Sequence, residues 1–388
     1  MEKAKLCELV DIYLGVTHTP EYVFNGVPFL SVKDISGGKI CFNDCKYISQ
    51  EEYDSLSEGA KPKVGDMLFC RVGTLGKPII IPEGTPLFGS FVSLGYLRNK
   101  NTDRCDLNYL RYWMYSNSFW KQVNSNVKGA SQVNLNTGWL SKFDVDLPDM
   151  QEQKHRISVL DKCKAIIEQR EEELKVLDNL IKARFVEMFG DENNSKNWDI
   201  VSVEEVTDVQ VGVVIKPSQY YTDKANGVKA FRSLNIGAGY IKDVDWVCFT
   251  EEGHLKNSKS ILKENDLLIV RSGTPGTACV VTKEYEGYNA IDVIIAHPYC
   301  DKVNPYYLCY FTNMPHGKKQ IDEGTGGAAQ QHFNVGKYNK LQLMLPPMRL
   351  QDEFAAFVYQ VDKSKVAVQK ALDETQLLFD SLMQQYFG

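Results

Sequence analysis

The sequence contains an internal repeat, and this repeat constrains the fold more than any other feature. Two eight-residue segments, 129–136 and 327–334, each begin with Gly-Ala and end with Asn, and they lie 198 residues apart. Upstream, Arg71 to Gly76 parallels Arg271 to Gly276 at a separation of 200 residues, a small drift of the kind that loop insertions produce. Because the matches keep one order along the chain, the sequence predicts two tandem copies of one folding unit.

The first part of each copy spans about 150 residues and alternates short apolar runs with turn-forming residues. The runs Phe29–Val32, Met67–Cys70 and Ile79–Ile81 have the length and composition of β-strands. The aromatic-rich segment from Asn108 to Val123 has the spacing of an amphipathic helix, and its counterpart runs from Pro305 to Met314. This mixture predicts an α+β globule in each copy.

A long, uninterrupted helix follows each globule. Residues 151–189 contain neither proline nor glycine, and apolar residues recur there at every seventh position. A seven-residue spacing is typical of a coiled-coil seam. The second copy carries a comparable stripe between residues 350 and 386. The predicted seam residues are Leu160, Ile167, Leu174, Leu177 and Ile181 in the first helix, and Val361, Val368, Leu372, Phe379 and Leu382 in the second.

The length of these helices predicts how they pack. A helix of about 38 residues is about 57 Å long, which exceeds the span of a 150-residue globule. Each helix either caps its own globule as part of a hairpin or pairs with the other helix along its length. We expect the second arrangement, an antiparallel coiled coil that separates and joins two globules with pseudo-two-fold symmetry. The predicted boundaries are 1–150 for the first globule, 151–190 for the first helix, 191–347 for the linker and second globule, and 348–388 for the second helix.

Composition limits the classes of function. The net charge is −6, which argues against a protein that binds DNA by electrostatic attraction alone. No run of about 18 apolar residues occurs, so no membrane-spanning helix is predicted. The ten cysteines include no Cys-x-x-Cys pair, so we expect no metal site and favour a reducing, cytoplasmic location.

Two similar but non-identical globules at a fixed separation suit a ligand that has two sites at a fixed separation. Double-stranded DNA is such a ligand, because dimeric readers contact half-sites about 34 Å apart on one side of the duplex. Since the two globules differ in sequence, the half-sites should differ too, which gives a bipartite, asymmetric target. The alternative is a non-catalytic scaffold whose globules bind proteins without DNA contact, and the acidic charge favours this alternative slightly.

The order of several short motifs resembles one known family over essentially the whole chain. These motifs are Gly65–Phe69, Gly73–Lys77, Gln132–Asn136, Leu140–Phe143, Leu147-Pro148 opening a helix through Glu152-Gln153-Lys154, and the linker from Phe189 to Trp198. The chain thereby resembles the specificity subunit of type I restriction–modification systems. The second copy departs from the first at Gln330–Asn334 and at Arg349–Glu353.

The resemblance implies two target-recognition domains, each reading one half-site, and two helices that act as a ruler and as a docking surface. It also implies assembly with methyltransferase subunits, expected to number two, and with restriction subunits. Partner subunits that contact the DNA would account for the acidic balance of this chain.

No catalytic motif competes with this interpretation. The chain lacks the glycine-rich loop and the Asn/Asp-Pro-Pro-aromatic segment of an adenine methyltransferase. Asp149, Glu152 and Lys154 are too closely spaced for a nuclease site and lie where acidic residues favour a helix start. The segment Gly73–Lys77 lacks the spacing of a phosphate-binding loop, so it is predicted to be a hairpin turn that can also meet a DNA phosphate. We therefore expect no enzyme activity and no cofactor.

Candidate DNA-contacting residues follow from the chemistry of base edges. Arginine binds guanine in a bidentate manner, and asparagine or glutamine binds adenine. The candidates are Lys33, Arg71, Lys77, Lys128, Ser131, Gln132 and Asn134 in the first copy, and Arg232, Arg271, Ser272, Gln330, Gln331 and Asn334 in the second.

Overall fold

The computed structural model describes residues 2–36, 38–73, 75–126, 134–223, 227–325 and 333–388. The chain forms two compact units. The first comprises residues 1–171 and 370–388, and the second comprises residues 172–369. Each unit thus contains one copy of the repeat and part of each long helix.

The first unit is built on two four-stranded sheets. One has the order Val10–Leu14, Leu94–Asn99, Met67–Cys70, Gly76–Ile80, and the other has the order Gly89–Ser90, Val27–Leu30, Lys46–Ile48, Tyr22–Val23. A two-stranded sheet pairs Glu2–Lys5 with Asp144–Leu147, and a small hairpin pairs Ile35–Ser36 with Lys39–Ile40. The N-terminal strand therefore joins the segment that leads into the first long helix.

Short helices cover these sheets. They span Leu6–Leu9, Gln50–Ser55, Leu107–Tyr115, Asn117–Asn126 and Thr137–Leu140, with 3-10 turns at Val32–Asp34 and Glu58–Ala60. The prediction of one helix from Asn108 to Val123 was wrong, because the chain breaks at Ser116. The Ser116 hydroxyl donates to the Trp113 carbonyl at 2.7 Å and accepts from the Phe119 amide at 3.3 Å. It therefore competes with helix continuation and caps the next helix.

The second unit repeats the topology of the two four-stranded sheets and of the two-stranded sheet, and a single bridge between Ile236 and Ile241 replaces the small hairpin. Its four-stranded sheets have the orders Thr207–Val211, Val293–Pro298, Leu267–Val270, Ala278–Val280 and Asn289–Ala290, Val228–Phe231, Val247–Phe249, Tyr221–Thr222. Asp199–Ser202 pairs with Gln342–Leu345. The predicted duplication and the α+β fold are thus confirmed within the described residues.

The helices of the second unit correspond to those of the first, except that the 3-10 turn Val203–Glu205 stands where the first unit has the helix Leu6–Leu9. They span Glu251–Lys256, Pro305–Asn313, Pro315–Thr325 and Val335–Asn339, with 3-10 turns at Val203–Glu205, Pro217–Tyr220, Ser233–Asn235, Ser258–Ser260 and Lys283–Tyr285.

Two equivalent glutamines make the same hydrogen bonds in the two units. Gln122 exchanges two hydrogen bonds with the backbone of Asp144 at 2.7 and 2.9 Å, and Gln320 does the same with Gln342 at 2.8 and 3.0 Å.

The two long helices span Met150–Phe189 and Met348–Phe387. Each has 40 residues and is therefore about 60 Å long. In the first unit, the start of one meets the end of the other, since Arg156 donates to the Tyr386 carbonyl at 2.9 Å. In the second unit, the Phe185 and Phe354 rings lie 5.3 Å apart. Within each unit the helix segments therefore pack antiparallel.

The predicted seam residues lie on the inner side of these segments. All ten are buried or half-buried. In the first unit Leu160, Phe379 and Leu382 join one apolar core, and in the second unit Leu177, Ile181 and Val361 join another. In the part of the chain that the structure describes, no helix is long and apolar enough to cross a membrane.

Candidate DNA interface

Three extended segments of the first copy run parallel and end at one edge of the globule. Val16 forms a parallel bridge with Phe91, and the strand Gly89–Ser90 pairs in parallel with Phe29 and Leu30. The close approach requires glycine at position 15, because a Cβ atom there would lie 2.2 Å from the Ser90 carbonyl oxygen. The residues that follow these three segments therefore lie next to one another.

Arg71 holds this edge together. Its Nε donates to the Leu135 carbonyl at 3.0 Å and its Nη1 donates to the Val92 carbonyl at 2.8 Å. The Leu135 amide donates back to the Arg71 carbonyl at 3.0 Å. Burial lowers the pKa of the Arg71 guanidinium, which remains protonated at neutral pH. We call residues 16–18, 31–33, 71, 91–93 and 134–135 the Arg71 edge.

Other candidates of the first copy lie on or beside the Arg71 edge. Lys33 and Asn134 are exposed, and the neighbouring Val32 amide donates to Ser93 Oγ at 3.2 Å. Lys77 is half-buried with a φ of 47° and follows Gly76, which pairs with Cys70 next to Arg71. Lys128, Ser131 and Gln132 lie outside the described residues.

The second copy builds the same edge. Val213 forms a parallel bridge with Ile291, and Ala230 and Phe231 pair in parallel with Asn289 and Ala290. Gly212 is the counterpart of Gly15, since a Cβ atom there would lie 2.3 Å from the Ala290 carbonyl oxygen. The same backbone arrangement therefore recurs with different side chains.

Arg271 takes the place of Arg71 but binds a charged partner. Its Nη1 donates to the Asp292 carboxylate at 2.6 Å, and its Nε donates to the Phe333 carbonyl at 3.4 Å. Asp292 has a φ of 49° and donates its amide to the Val213 carbonyl at 3.1 Å. We call residues 213–216, 232–234, 271, 291–292 and 333–334 the Arg271 edge. Its central arginine is neutralised, whereas Arg71 is held by backbone carbonyls.

The remaining candidates of the second copy have defined positions. Arg232 is half-buried and donates to the Asp245 carbonyl. Ser272 is half-buried next to Arg271. Asn334 is exposed and caps the helix Val335–Asn339, because its Oδ1 accepts from the Lys337 amide at 3.0 Å. Gln330 and Gln331 lie outside the described residues.

Sequence reasoning missed one segment of each edge. Thr17 and His18 are exposed beside Val16, and Val214 and Ile215 are exposed beside Val213. A repeat of the form Gly-Val-x-x-x-Pro marks both segments, at 15–20 and 212–217. The separation of 197 residues is close to that of the other repeated segments, so the sequence itself carries this signal.

The two edges lie within a duplicated family domain. The profile of the type I restriction modification DNA specificity domain matches residues 16–176 and again residues 195–375. The chain belongs to this family. The two matched specificity domains coincide with the two copies of the repeat, and together they cover most of the chain.

Relatives of this specificity-domain protein agree with the assignment. A type I restriction enzyme specificity subunit from Methanocaldococcus jannaschii is 24% identical over an alignment of 304 residues. The match covers 71% of this chain and 69% of the relative. The solved S subunit of the type I restriction–modification system from M. genitalium has a TM-score of 0.59 at 14% identity. The match covers 100% of this chain and 96% of the M. genitalium chain. A second solved structure is described as the structural basis of complex assembly and conformational transition of the type I R-M system. Its chain has a TM-score of 0.54 at 16% identity, and the match covers 100% of this chain and 97% of that one. At these identities the solved structures show a shared fold.

Metal-ligating clusters and disulfides are both absent from the part of the chain that the structure describes. Among the described residues, no group of three or more histidine, cysteine or acidic side chains could hold a metal ion. All ten cysteines are described, and all ten are free thiols.

Proposed function

We propose that this chain is the DNA sequence-specificity subunit of a type I restriction–modification complex and that it reads a bipartite, asymmetric target. One observation carries the proposal. The Arg71 edge and the Arg271 edge share one backbone framework but carry different side chains, as expected of two readers for two different half-sites. In this proposal the chain recognises DNA in the cytoplasm, and its partner subunits carry out methylation and cleavage.

The predicted contact residues divide into two roles in this proposal. Arg71, Arg232, Arg271 and Asn334 each have a hydrogen bond that holds the local backbone in shape, so we propose that they act mainly by positioning. The residues proposed to meet bases or phosphates directly are Lys33, Lys77, Lys128, Ser131, Gln132 and Asn134 in the first copy, and Ser272, Gln330 and Gln331 in the second.

Partner subunits are proposed to dock on the long helices. Several apolar side chains there face solvent, among them Ile166 at 43% and Leu377 at 69% exposure in the first unit, and Tyr359 at 60% and Val366 at 70% in the second. Exposed apolar side chains on otherwise polar helices suit protein contacts. We infer that methyltransferase subunits and then restriction subunits bind here and supply phosphate contacts that the acidic chain lacks.

Selection from a random duplex pool tests the proposal. The chain is assembled with the methyltransferase subunit of its own system, and bound duplexes are separated by gel shift and sequenced. We expect two short, different motifs separated by a constant, unread spacer. A pool without enrichment would support the scaffold alternative, and a single contiguous motif would contradict the two-reader arrangement.

A further inference from the structure

The two edges differ in polarity at corresponding positions. On the Arg271 edge, Val214, Ile215 and Leu234 are 48%, 79% and 39% exposed. The equivalent positions of the Arg71 edge are Thr17, His18 and Lys33, and these side chains are also exposed. The second copy therefore presents aliphatic groups to solvent where the first copy presents polar ones.

The aliphatic residues lie on the same edge as the positioning arginine. Val214 and Ile215 follow Val213, whose carbonyl accepts from the Asp292 amide at 3.1 Å, and Asp292 binds Arg271. Leu234 follows the parallel strand Val228–Phe231, whose terminal carbonyl accepts from the Ile291 amide at 2.8 Å. Both segments are thus anchored to residues 291–292, and they leave the sheet in the same direction.

The chemistry of base edges restricts what such a surface can read. In the major groove, guanine, cytosine and adenine present hydrogen-bonding groups, whereas thymine adds a C5-methyl group that binds apolar side chains. We propose that the second copy recognises a half-site containing thymine, and that Ile215, supported by Val214 and Leu234, contacts the C5-methyl group of that base. This inference rests on the proposed function, because it requires the Arg271 edge to face the major groove.

Replacement of thymine by deoxyuridine tests the inference, since it removes only the methyl group. The chain is assembled with its methyltransferase subunit, and its affinity is measured for the duplex found by selection. The same measurement is made on duplexes in which a single thymidine is replaced by deoxyuridine. At one or more thymine positions of the second half-site, a single deoxyuridine should weaken binding about fourfold, the value expected for one buried methyl group. A deoxyuridine in the first half-site should change the affinity by much less than one in the second half-site.

A pair of matched substitutions assigns the effect to Ile215. Ile215→Thr should reduce the thymine-to-uridine ratio in the second half-site to about one, while the chain still assembles and still binds. Ile200→Thr is the control, because Ile200 is also an exposed isoleucine of the second copy but pairs with Met344, next to the long helix. It should leave the ratio unchanged.

Each other outcome is informative. A second half-site without thymine, or a ratio that Ile215→Thr leaves intact, overturns the inference while the proposed function stands. Loss of assembly with the methyltransferase subunit in Ile215→Thr would show that Ile215 contacts protein, and this also overturns the inference. Failure of every duplex to bind the assembled complex would instead contradict the proposed function.

Discussion

Gln153 and Gln351, 198 residues apart, make the same hydrogen bonds at the starts of the two long helices. Gln153 Oε1 accepts from the Asp106 amide at 2.9 Å, and its Nε2 donates to the Pro148 carbonyl at 2.8 Å. Gln351 accepts from the Asn304 amide at 2.8 Å and donates to the Pro346 carbonyl at 2.7 Å. Both side chains are completely buried. Each glutamine therefore fixes one long helix to its own globule.

Gln153→Leu should consequently destabilise the protein. The leucine fills similar space but leaves the half-buried Asp106 amide and the buried Pro148 carbonyl without their partner, and it also removes the bond to the Arg104 carbonyl. An unsatisfied buried group costs about 1–3 kcal/mol. Urea unfolding of the whole chain measures the loss. Gln151→Leu, on the exposed side of the same helix turn, should change the free energy of unfolding by less than about 0.5 kcal/mol. Equal effects of the two substitutions would contradict the anchoring role.

Asp292→Asn should strengthen the binding of DNA by the assembled complex. The asparagine keeps the left-handed backbone at this position without strain, but it no longer neutralises Arg271. The guanidinium, no longer paired with a carboxylate, should contribute about one more positive charge towards phosphate and steepen the salt dependence of affinity accordingly. Titration over a range of salt concentrations checks this. Asp208→Asn, an exposed acidic residue of the strand Thr207–Val211, controls for net charge alone.

Gly15→Ala and Gly212→Ala should each remove one half-site from recognition. The added methyl group would overlap a carbonyl oxygen of the neighbouring parallel segment, so the Arg71 edge or the Arg271 edge must separate. We expect Gly15→Ala to relax only the first half-site and Gly212→Ala only the second, as read by methylation mapping. Gly324→Ala meets no atom within 4 Å and should leave both half-sites intact. Relaxation of both half-sites by one substitution would contradict the assignment of one reader to each edge.

The stability of the protein should fall as the pH drops below about 6.5, partly through His316. Burial against Phe185 lowers the pKa of His316, although its bond of 3.0 Å to the Gly190 carbonyl opposes this shift. The unfolded chain therefore binds the proton more readily, and acidification favours unfolding between the unfolded pKa and the lowered folded pKa.

His316→Gln keeps a donor for Gly190 but does not titrate. The free energy of unfolding of this variant should depend less on pH between 6.5 and 5 than that of the parent chain. His155→Gln, on the exposed side of the first long helix, should retain the parent slope. An unchanged slope in His316→Gln would show that other groups govern the acid sensitivity.

The repeat, the long helices and their seam could be predicted from the sequence because they are periodic or directly comparable patterns. The role of Arg71 could not, since its partners are carbonyls 64 and 21 residues away and any residue type can supply a carbonyl. The break at Ser116 escaped prediction because a serine fits either a helix interior or a cap. Gly15 and Gly212 become informative only when the parallel neighbour is known.

The Arg271 edge shows a further limit of sequence reasoning. Hydrogen-bonding capacity is the criterion by which a sequence indicates base readers, and it favours arginine, lysine and amide side chains. That criterion passes over Val214 and Ile215, whose exposure follows from the backbone pairing of Val213 with Ile291. Apolar contributions to recognition therefore needed the structure.

Exchange of one globule tests the central claim most directly. Residues 1–150 are replaced by the corresponding segment of a relative with a known target, and the methylated sites are mapped by sequencing in cells that hold the methyltransferase subunit. We predict that the first half-site changes to that of the relative, while the second half-site and the spacer length remain. A simultaneous change of both half-sites, or an unchanged target, would contradict the account of two independent readers.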